Sequence, residues 1–471
     1  MNDIKRRLGL STIVGLAGMV LARLVSPLLS FLIIVLVARV WGQEMFGKFN
    51  TVWVWLILFR SLSIFGIGEF ISKHVGANRD NVSEYRTHGL LFGSFSSLVC
   101  SAFMIGGAFL LDYSDDVKYG IIIASMALPC YAFIVISHAI LTAFQKTRTV
   151  GIAWTLENIL FLCLGSIVII KGYGFINLFW CLVLSRLSAA ILNLIIVYKS
   201  IGPVDLQIDL DFFRKMLPEL AIFGVSSLAY FIFLRIDVVM LSKMTDMVSV
   251  GLYSSASNLM EVCILLPVIF YFINLPVMAR GYKSSKEQIH RKIESDAAQL
   301  FVLVFLAFGF GFFFAEVIIP LIYGKSFVGA SWILKLLMIA FLIQSADGIL
   351  AMSCLAAGYH KLVMYIVVIR AAINIVLNLV FIPVFGAVGA ALATVLSISF
   401  SFAALQIFMK RNIGSFRWIR IIGKPALSCL LIILLIFPLM DYLNTILVCS
   451  IFLLGYVFVL FVLNGFSTAT A

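Results

Sequence analysis

The chain has 471 residues, 63% of them hydrophobic and 12% charged, and a mean hydropathy of +1.12. That balance excludes a water-soluble globular protein: a bilayer core needs about 20 apolar residues per spanning helix, and such runs follow one another almost end to end. The formal net charge of +12 invites a nucleic-acid reading, but the cations are distributed as membrane topology demands.

The apolar runs are continuous rather than alternating, so the expected fold class is an all-α polytopic membrane protein. The first run follows a charged start, MNDIKRRLGL, and continues past Arg23 to Val40 without a small-residue cleavage site. It reads as a retained span, not a signal peptide. The spans fall at about 11–40, 49–72, 89–111, 118–144, 150–171, 174–198, 217–242, 250–279, 298–322, 331–357, 361–383, 387–409, 421–440 and 443–464, fourteen in all. Counted from a cytoplasmic N-terminus, the inner connectors hold most of the Lys and Arg, including Arg79, Arg86, Arg214, Lys283, Arg291, Lys292, Arg411 and Arg420. The outer loops hold only Lys48, Lys118, Lys171, Lys243 and Lys325. The positive-inside rule then places both ends in the cytoplasm, and no nucleic-acid partner is needed to explain the charge.

No connector is long enough for a soluble domain, and no Walker A loop, HExxH or dinucleotide fingerprint is present. An ATP-driven pump on this chain alone is therefore not expected. The eight cysteines lie in apolar runs without a C-x-x-C pair and read as small core residues, so no metal site is expected. The acidic DYSDD at 112–116 reads as a solvated loop.

The middle of the chain starts the pattern again. RVWGQEMFGKFN at 39–50 is echoed by KMTDMVSVGLYS at 243–254, ILTAFQ at 140–145 by CLAAGY at 354–359, and GFINLFWCLVLS at 174–185 by GAVGAALATVLS at 386–397. Six helices per copy gives two halves of the same orientation. The expected organisation is an N-terminal lobe over 1–200, a C-terminal lobe over 201–410 and an extra helix pair over 411–471.

Charges inside these spans single out a site, because one at a helix centre costs about 2.5–3.5 kcal/mol on insertion scales. Arg23, Arg60, Arg186 and Arg370 fall near the midplane, Arg235 and Asp237 in the outer third of their helix, Glu157 in the inner third, Glu69 near an inner end, and Glu261 and Asp347 well inside. Polar stripes at helical spacing accompany several: Arg23 with Ser26 and Ser30, Arg370 with Asn374 and Asn378, Ser254 with Asn258 and Glu261. Such stripes imply a hydrophilic cavity. The alternative is that each arginine locks to a carboxylate and only holds helices together. Arg23, Arg60, Arg186, Arg235, Arg370 and Asn374 are the candidate ligands of an anionic cargo. Glu69, Glu157, Asp237, Glu261 and Asp347 are the candidates for coupling to an ion.

ARVWGQEMFGKFN at 38–50, LRIDVVMLSKMTDMVSVGLYSSASNL at 234–259, LIYGKSFVGASWILKLL at 321–337 and FIPVFGAVGAALATVLS at 381–397 resemble the Wzx polysaccharide flippases. These belong to the MOP exporter superfamily with the lipid II flippase and the MATE drug exporters. The resemblance implies two six-helix lobes forming a V, alternating access, and an undecaprenyl-pyrophosphate-linked oligosaccharide as cargo. It implies O-antigen or related polysaccharide assembly at the bacterial inner membrane, with lipid and other assembly proteins as partners. The fourteen spans look more like the lipid II flippase, whose extra pair helps form a groove for the lipid tail. No chemistry on the cargo and no cofactor are expected; without a nucleotide site, transport would draw on a proton or sodium gradient or the membrane potential. A MATE-like cation or drug antiporter would want an acid-dominated cavity. A glycan polymerase would want a large acidic outer loop.

Overall fold

The computed structural model describes residues 2–202, 209–284, 286–436, 438 and 444–463, and the described residues form helices and turns. The reason is solvation: in hydrocarbon each backbone N–H and C=O must be satisfied inside its own segment. Ten helical stretches among the described residues are long and apolar enough to cross a membrane. Their outer faces remain apolar, as on α3 (Val82–Leu110), where Phe95 and Phe103 are 70% and 67% exposed. A surface of that kind suits lipid and not water.

The chain divides into two compact units, Met1–Gly251 and Leu252–Ala471. The first contains α1 (Asn2–Ile64), α2 (Ile67–Ala77), α3, α4 (Asp115–Ser125), α5 (Ala127–Ala143), α6 (Thr147–Ile170), α7 (Phe175–Ile201) and α8 (Leu210–Met244). The boundary falls early in α9 (Met247–Ser284), so α8, expected with the C-terminal lobe, packs against α1 and α2 in the first unit. Their common core joins Ile67, Phe70 and Ile71 of α2, Ile136 and Ile140 of α5, and Met216 and Leu220 of α8.

Two spans of the first unit differ from the sequence reading for local reasons. The run read as 49–72 is broken at Phe65 and Gly66, both at positive φ (41° and 78°), so Glu69 begins a new helix. The run read as 118–144 is interrupted at Met126, three residues before Pro129. Gly42 does the reverse: at φ 76° it bends α1 between its two apolar runs without a loop, a conformation that glycine adopts without steric cost.

A close crossing follows Gly42. A Cβ built on Gly47 would lie 1.9 Å from the carbonyl oxygen of Met247, and one built on Gly251 would lie 2.3 Å from that of Gln43. The contact is reciprocal, since Gln43 stands to Met247 in the sequence as Gly47 stands to Gly251. The two echoed stretches thus meet backbone to backbone. Nearby, Lys48 bonds Asp116 at 2.8 Å and Lys118 bonds Asp112 at 3.1 Å. DYSDD, read as a loop, is a short turn over 112–114 followed by the first two residues of α4.

The second unit contains most of α9, then α10 (Lys286–Phe313), α11 (Ala315–Tyr323), a 3-10 turn (Lys325–Gly329), α12 (Ala330–Ala356), α13 (His360–Asn412), α14 (Trp418–Ile436) and α15 (Thr445–Val462). The 298–322 run is split at Phe314, and α13 bends at Gly386 (φ 55°). The C-terminal pair is not free-standing: Cys429, Ile432 and Ile436 of α14 and Phe452 and Tyr456 of α15 pack onto Val302 beside Phe314, and the Tyr456 hydroxyl donates to the Val302 carbonyl at 2.8 Å.

A second echo also has matching geometry. α5 ends with the Lys146 amide donating to the Leu141 carbonyl (2.8 Å) around Gln145 at φ 60°; α12 ends with the Tyr359 amide donating to the Cys354 carbonyl (2.9 Å) around Gly358 at φ 94°. Both are six-to-one helix terminations. All eight cysteines are free, and Cys163 is exposed on an outward face.

Candidate functional site

The first unit encloses a cavity of about 620 Å³. Each wall comes from one helical face. On α6, Gly151, Trp154, Glu157 and Asn158 recur at spacings of three and four; on α5, Tyr131, Ile134, Val135, His138 and Thr142 do the same. α1 contributes Ser30 and Pro27 before its bend and Trp53 and Arg60 after it, α2 contributes Glu69, and α7 contributes Arg186. Ser30 Oγ donates to Asn158 Oδ1 at 3.3 Å, tying α1 to α6.

Two arginines share one aromatic ring in this cavity. The Arg60 guanidinium sits 4.9 Å from the Tyr131 centroid, and that of Arg186 sits 5.4 Å from it and 5.7 Å from Phe161. Contacts of this kind stabilise a desolvated cation by about 2 kcal/mol. Their electrostatics differ. Arg186 is ion-paired to Glu157, and the two residues are 4% and 5% exposed. Arg60 is half-buried, with no carboxylate at ion-pair distance among the described residues. Glu69 is exposed where it lines the cavity. Trp53, which lines the cavity, lies parallel to Phe161 at 6.1 Å.

The other candidates lie elsewhere. In the second unit Arg370 is 4% exposed and pairs with Asp347 at 3.1 Å, while Ser401 donates to the other Asp347 oxygen at 2.7 Å. Asn378 donates to Asn374 at 3.1 Å, and Asn374 reaches Ser397 at 3.5 Å. Arg370 and Asn374, read from the sequence as ligands, are here part of a buried polar ladder joining α12 to both halves of α13. The acid that meets Arg370 is on a different helix, which spacing along α13 could not reveal. Asp237 is buried and Arg235 half-buried on α8, neither lining the cavity; Glu261 on α9 lies within electrostatic reach of Tyr323. Arg23 is helical, but its side chain, like those of Ser26, Ser226 and Tyr230, lies outside the described residues.

Tyr131 and His138 were not singled out by the sequence. Both sit on an apolar helix where a lone aromatic or histidine reads as packing, and only the convergence of α1, α5 and α7 gives them a place in the site. Trp154 and Trp53 do line the cavity, while Trp180 is 43% exposed outside it.

A multi-pass all-α membrane protein with a charged and aromatic-lined cavity of about 620 Å³ inside a helical unit is a membrane transporter in build. The chain belongs to the polysaccharide biosynthesis protein family, whose profile matches residues 15–282. It is 28% identical over 174 residues to the probable low-salt glycan biosynthesis flippase Agl15 of Haloferax volcanii, a match covering 37% of this chain and 37% of that relative. Among solved structures it is similar to the lipid II flippase MurJ in an inward closed conformation, with a TM-score of 0.79 at 16% identity over 94% of this chain and 98% of that one. It is also similar to an inward-facing multidrug resistance MATE family transporter of the MOP superfamily, with a TM-score of 0.66 at 16% identity over 85% and 98% of the two chains. A MOP superfamily transporter from Pyrococcus furiosus, described as having a binding pocket of reversed polarity, follows with a TM-score of 0.60 at 15% identity over 85% and 95%. The fold is therefore that of the MOP superfamily. Among the described residues no group of three or more His, Cys, Asp or Glu is placed to hold a metal.

Proposed function

We propose that the chain is a flippase that moves a lipid-linked oligosaccharide, carried on undecaprenyl pyrophosphate, across the bacterial inner membrane for polysaccharide assembly. Alternating access of two six-helix lobes, with both termini cytoplasmic and fourteen spans, is the mode of action that goes with this reading. One observation carries it: a half-buried arginine without a carboxylate partner among the described residues stands in a cavity, stacked on Tyr131. A guanidinium so placed suits an anion that visits and leaves, and its planar fork matches phosphate oxygens in pairs. The polyprenyl tail can stay in lipid while the charged group crosses a wet path. Trp53 and Trp154 offer flat faces to sugar rings. The family's role in polysaccharide biosynthesis and a relative named as a glycan biosynthesis flippase support the same reading. No bond in the cargo is made or broken.

The experiment is a flipping assay in cells lacking the chromosomal copy, scored by surface glycan and by lipid-linked intermediate stranded on the inner leaflet. Arg60→Ala should abolish flipping at normal levels of folded protein, and Arg60→Lys should restore it only in part because the fork is lost. Full flipping by Arg60→Ala would refute the assignment. Intact glycan on loss of the protein, with new sensitivity to cationic dyes, would favour a MATE-like exporter.

A further inference from the structure

We infer that Glu157 is a proton-operated gate on Arg186, which frees a second guanidinium for the cargo's anionic group. The inference rests on the reading of the Arg60 cavity as an anion site. Its starting point is an ion pair that is left incomplete. Oε1 of Glu157 accepts from Nη1 of Arg186, but among the described residues Oε2 of Glu157 has no hydrogen-bond partner although Glu157 is only 5% exposed, whereas both oxygens of Asp347 in the Arg370 pair are bonded. A buried carboxylate kept only to lock helices usually has both oxygens bonded, as Asp347 does. The free Oε2 can accept a proton without breaking any other bond.

The charged and titratable groups around the pair come from every helix packed on it: Arg60 of α1, Glu69 of α2, Tyr131 and His138 of α5. Among the described residues only Arg186 bonds the Glu157 carboxylate. With Glu157 ionised, Arg186 is neutralised and an anion meets Arg60 alone. When Glu157 takes up a proton through the cavity it becomes a neutral acid, and the Arg186 charge is left without its counter-charge beside the ring that Arg60 already occupies. Two guanidinium groups, 4.9 and 5.4 Å from one Tyr131 centroid, suit a ligand with two adjacent anionic groups, which is a diphosphate. Without the anion those like charges repel one another. Proton uptake and diphosphate binding therefore favour each other, and the coupling runs equally in both directions. Loss of the proton returns Glu157 to Arg186 and expels the anion. Glu157 is thus a positioning residue acting through Arg186.

The test uses the purified full-length protein and inorganic pyrophosphate, followed by the change in intrinsic tryptophan fluorescence, to which Trp53 and Trp154 of the cavity wall contribute, between about pH 5.5 and 8.5. Pyrophosphate's own ionisation is common to all variants, so the readout is the difference in pH slope. The wild type should lose affinity with rising pH by about tenfold per unit more than Glu157→Gln, since one linked proton gives that slope. Glu157→Gln should keep the tight, low-pH affinity throughout. Equal slopes would overturn the gate and leave the anion site standing. Arg60→Ala binding as tightly as wild type at low pH would overturn the anion site itself, and the gate with it. If Glu157→Gln does not fold, the apolar pair Glu157→Leu with Arg186→Met replaces it, and calorimetry in buffers of different ionisation enthalpy counts protons. About one more proton per pyrophosphate should enter the wild type than the double variant; equal uptake refutes the gate.

Discussion

The Gly47–Gly251 crossing offers the sharpest test of the fold. Alanine at Gly47 puts its Cβ 1.9 Å from the Met247 carbonyl oxygen, and alanine at Gly251 puts one 2.3 Å from that of Gln43. An unstrained contact of this type needs about 3.3 Å, so the chains must part by about 1.4 Å in the first case and about 1 Å in the second. The obstacle is backbone in each case, and it cannot swing aside as a side chain would. The cost should lie at the upper end of the roughly 1–3 kcal/mol typical of overpacking, with Gly47→Ala worse than Gly251→Ala. Because one parting motion relieves both clashes, the double variant should cost less than the sum of the singles. Gly106, on α3 with nothing within 4 Å of a built Cβ, is the control; alanine there should be neutral or stabilise by up to about 1 kcal/mol through helix propensity. Thermal and denaturant unfolding in one detergent, followed by intrinsic fluorescence, reads all four variants. Gly47→Ala and Gly251→Ala unfolding with the wild type would refute the close crossing.

Asp347 and Arg370 should behave as a structural pair: Asp347→Ala costs about 3–5 kcal/mol by leaving a buried charge, whereas Asp347→Leu with Arg370→Met is close to neutral. Unfolding midpoints of the three proteins decide it, and a double variant as unstable as the single removes the argument. At the start of α9, Asp246 accepts from the Ser249 amide at 2.7 Å, and hydrogen bonds from the Ser249 amide and then its hydroxyl hold its carboxyl below the usual range. A folded pKa below the unfolded value means that this cap stabilises fully above about pH 4 and is lost as pH falls through the folded value. Asp246→Ala should therefore cost about 0.5–1 kcal/mol at pH 7, and the gap from wild type should close on acidification; a gap that persists at low pH refutes it.

The helices were legible because solvation in lipid leaves the backbone little choice, and the internal echoes were legible because they repeat residues that set backbone geometry. Gln145 and Gly358 end helices in the same way, and Gly47 and Gly251 both stand where a side chain has no room. Helix breaks were less visible: nothing in SIFGIGEF marks Phe65, rather than only its glycine neighbour, as left-handed. The charges were legible as depths along their own helices. Partnership was not, because Asp347 meets Arg370 and Glu157 meets Arg186 across different helices. A stripe on one helix says which way a charge points and leaves open what it finds there.

That distinction decides which arginine matters most. An arginine in the bilayer interior costs about 2.5–3.5 kcal/mol, and burial with a carboxylate can offset this without any ligand. Arg370, paired and hydrogen-bonded through Asp347 to Ser401, is accounted for by structure alone. Arg186 is paired with Glu157, whose second oxygen has no hydrogen-bond partner among the described residues, whereas both oxygens of Asp347 are bonded. Among the described residues Arg60 meets no carboxylate but an aromatic ring and a cavity, which recover part of the cost. Packing alone would be served better by leucine at that position, whose side chain carries no such penalty. Arg60 and Arg186 both line the cavity of about 620 Å³, and of the two only Arg186 has a carboxylate at ion-pair distance among the described residues. An anion visiting the cavity would supply the compensation that the described residues do not give Arg60, which is why Arg60 is the first position to test.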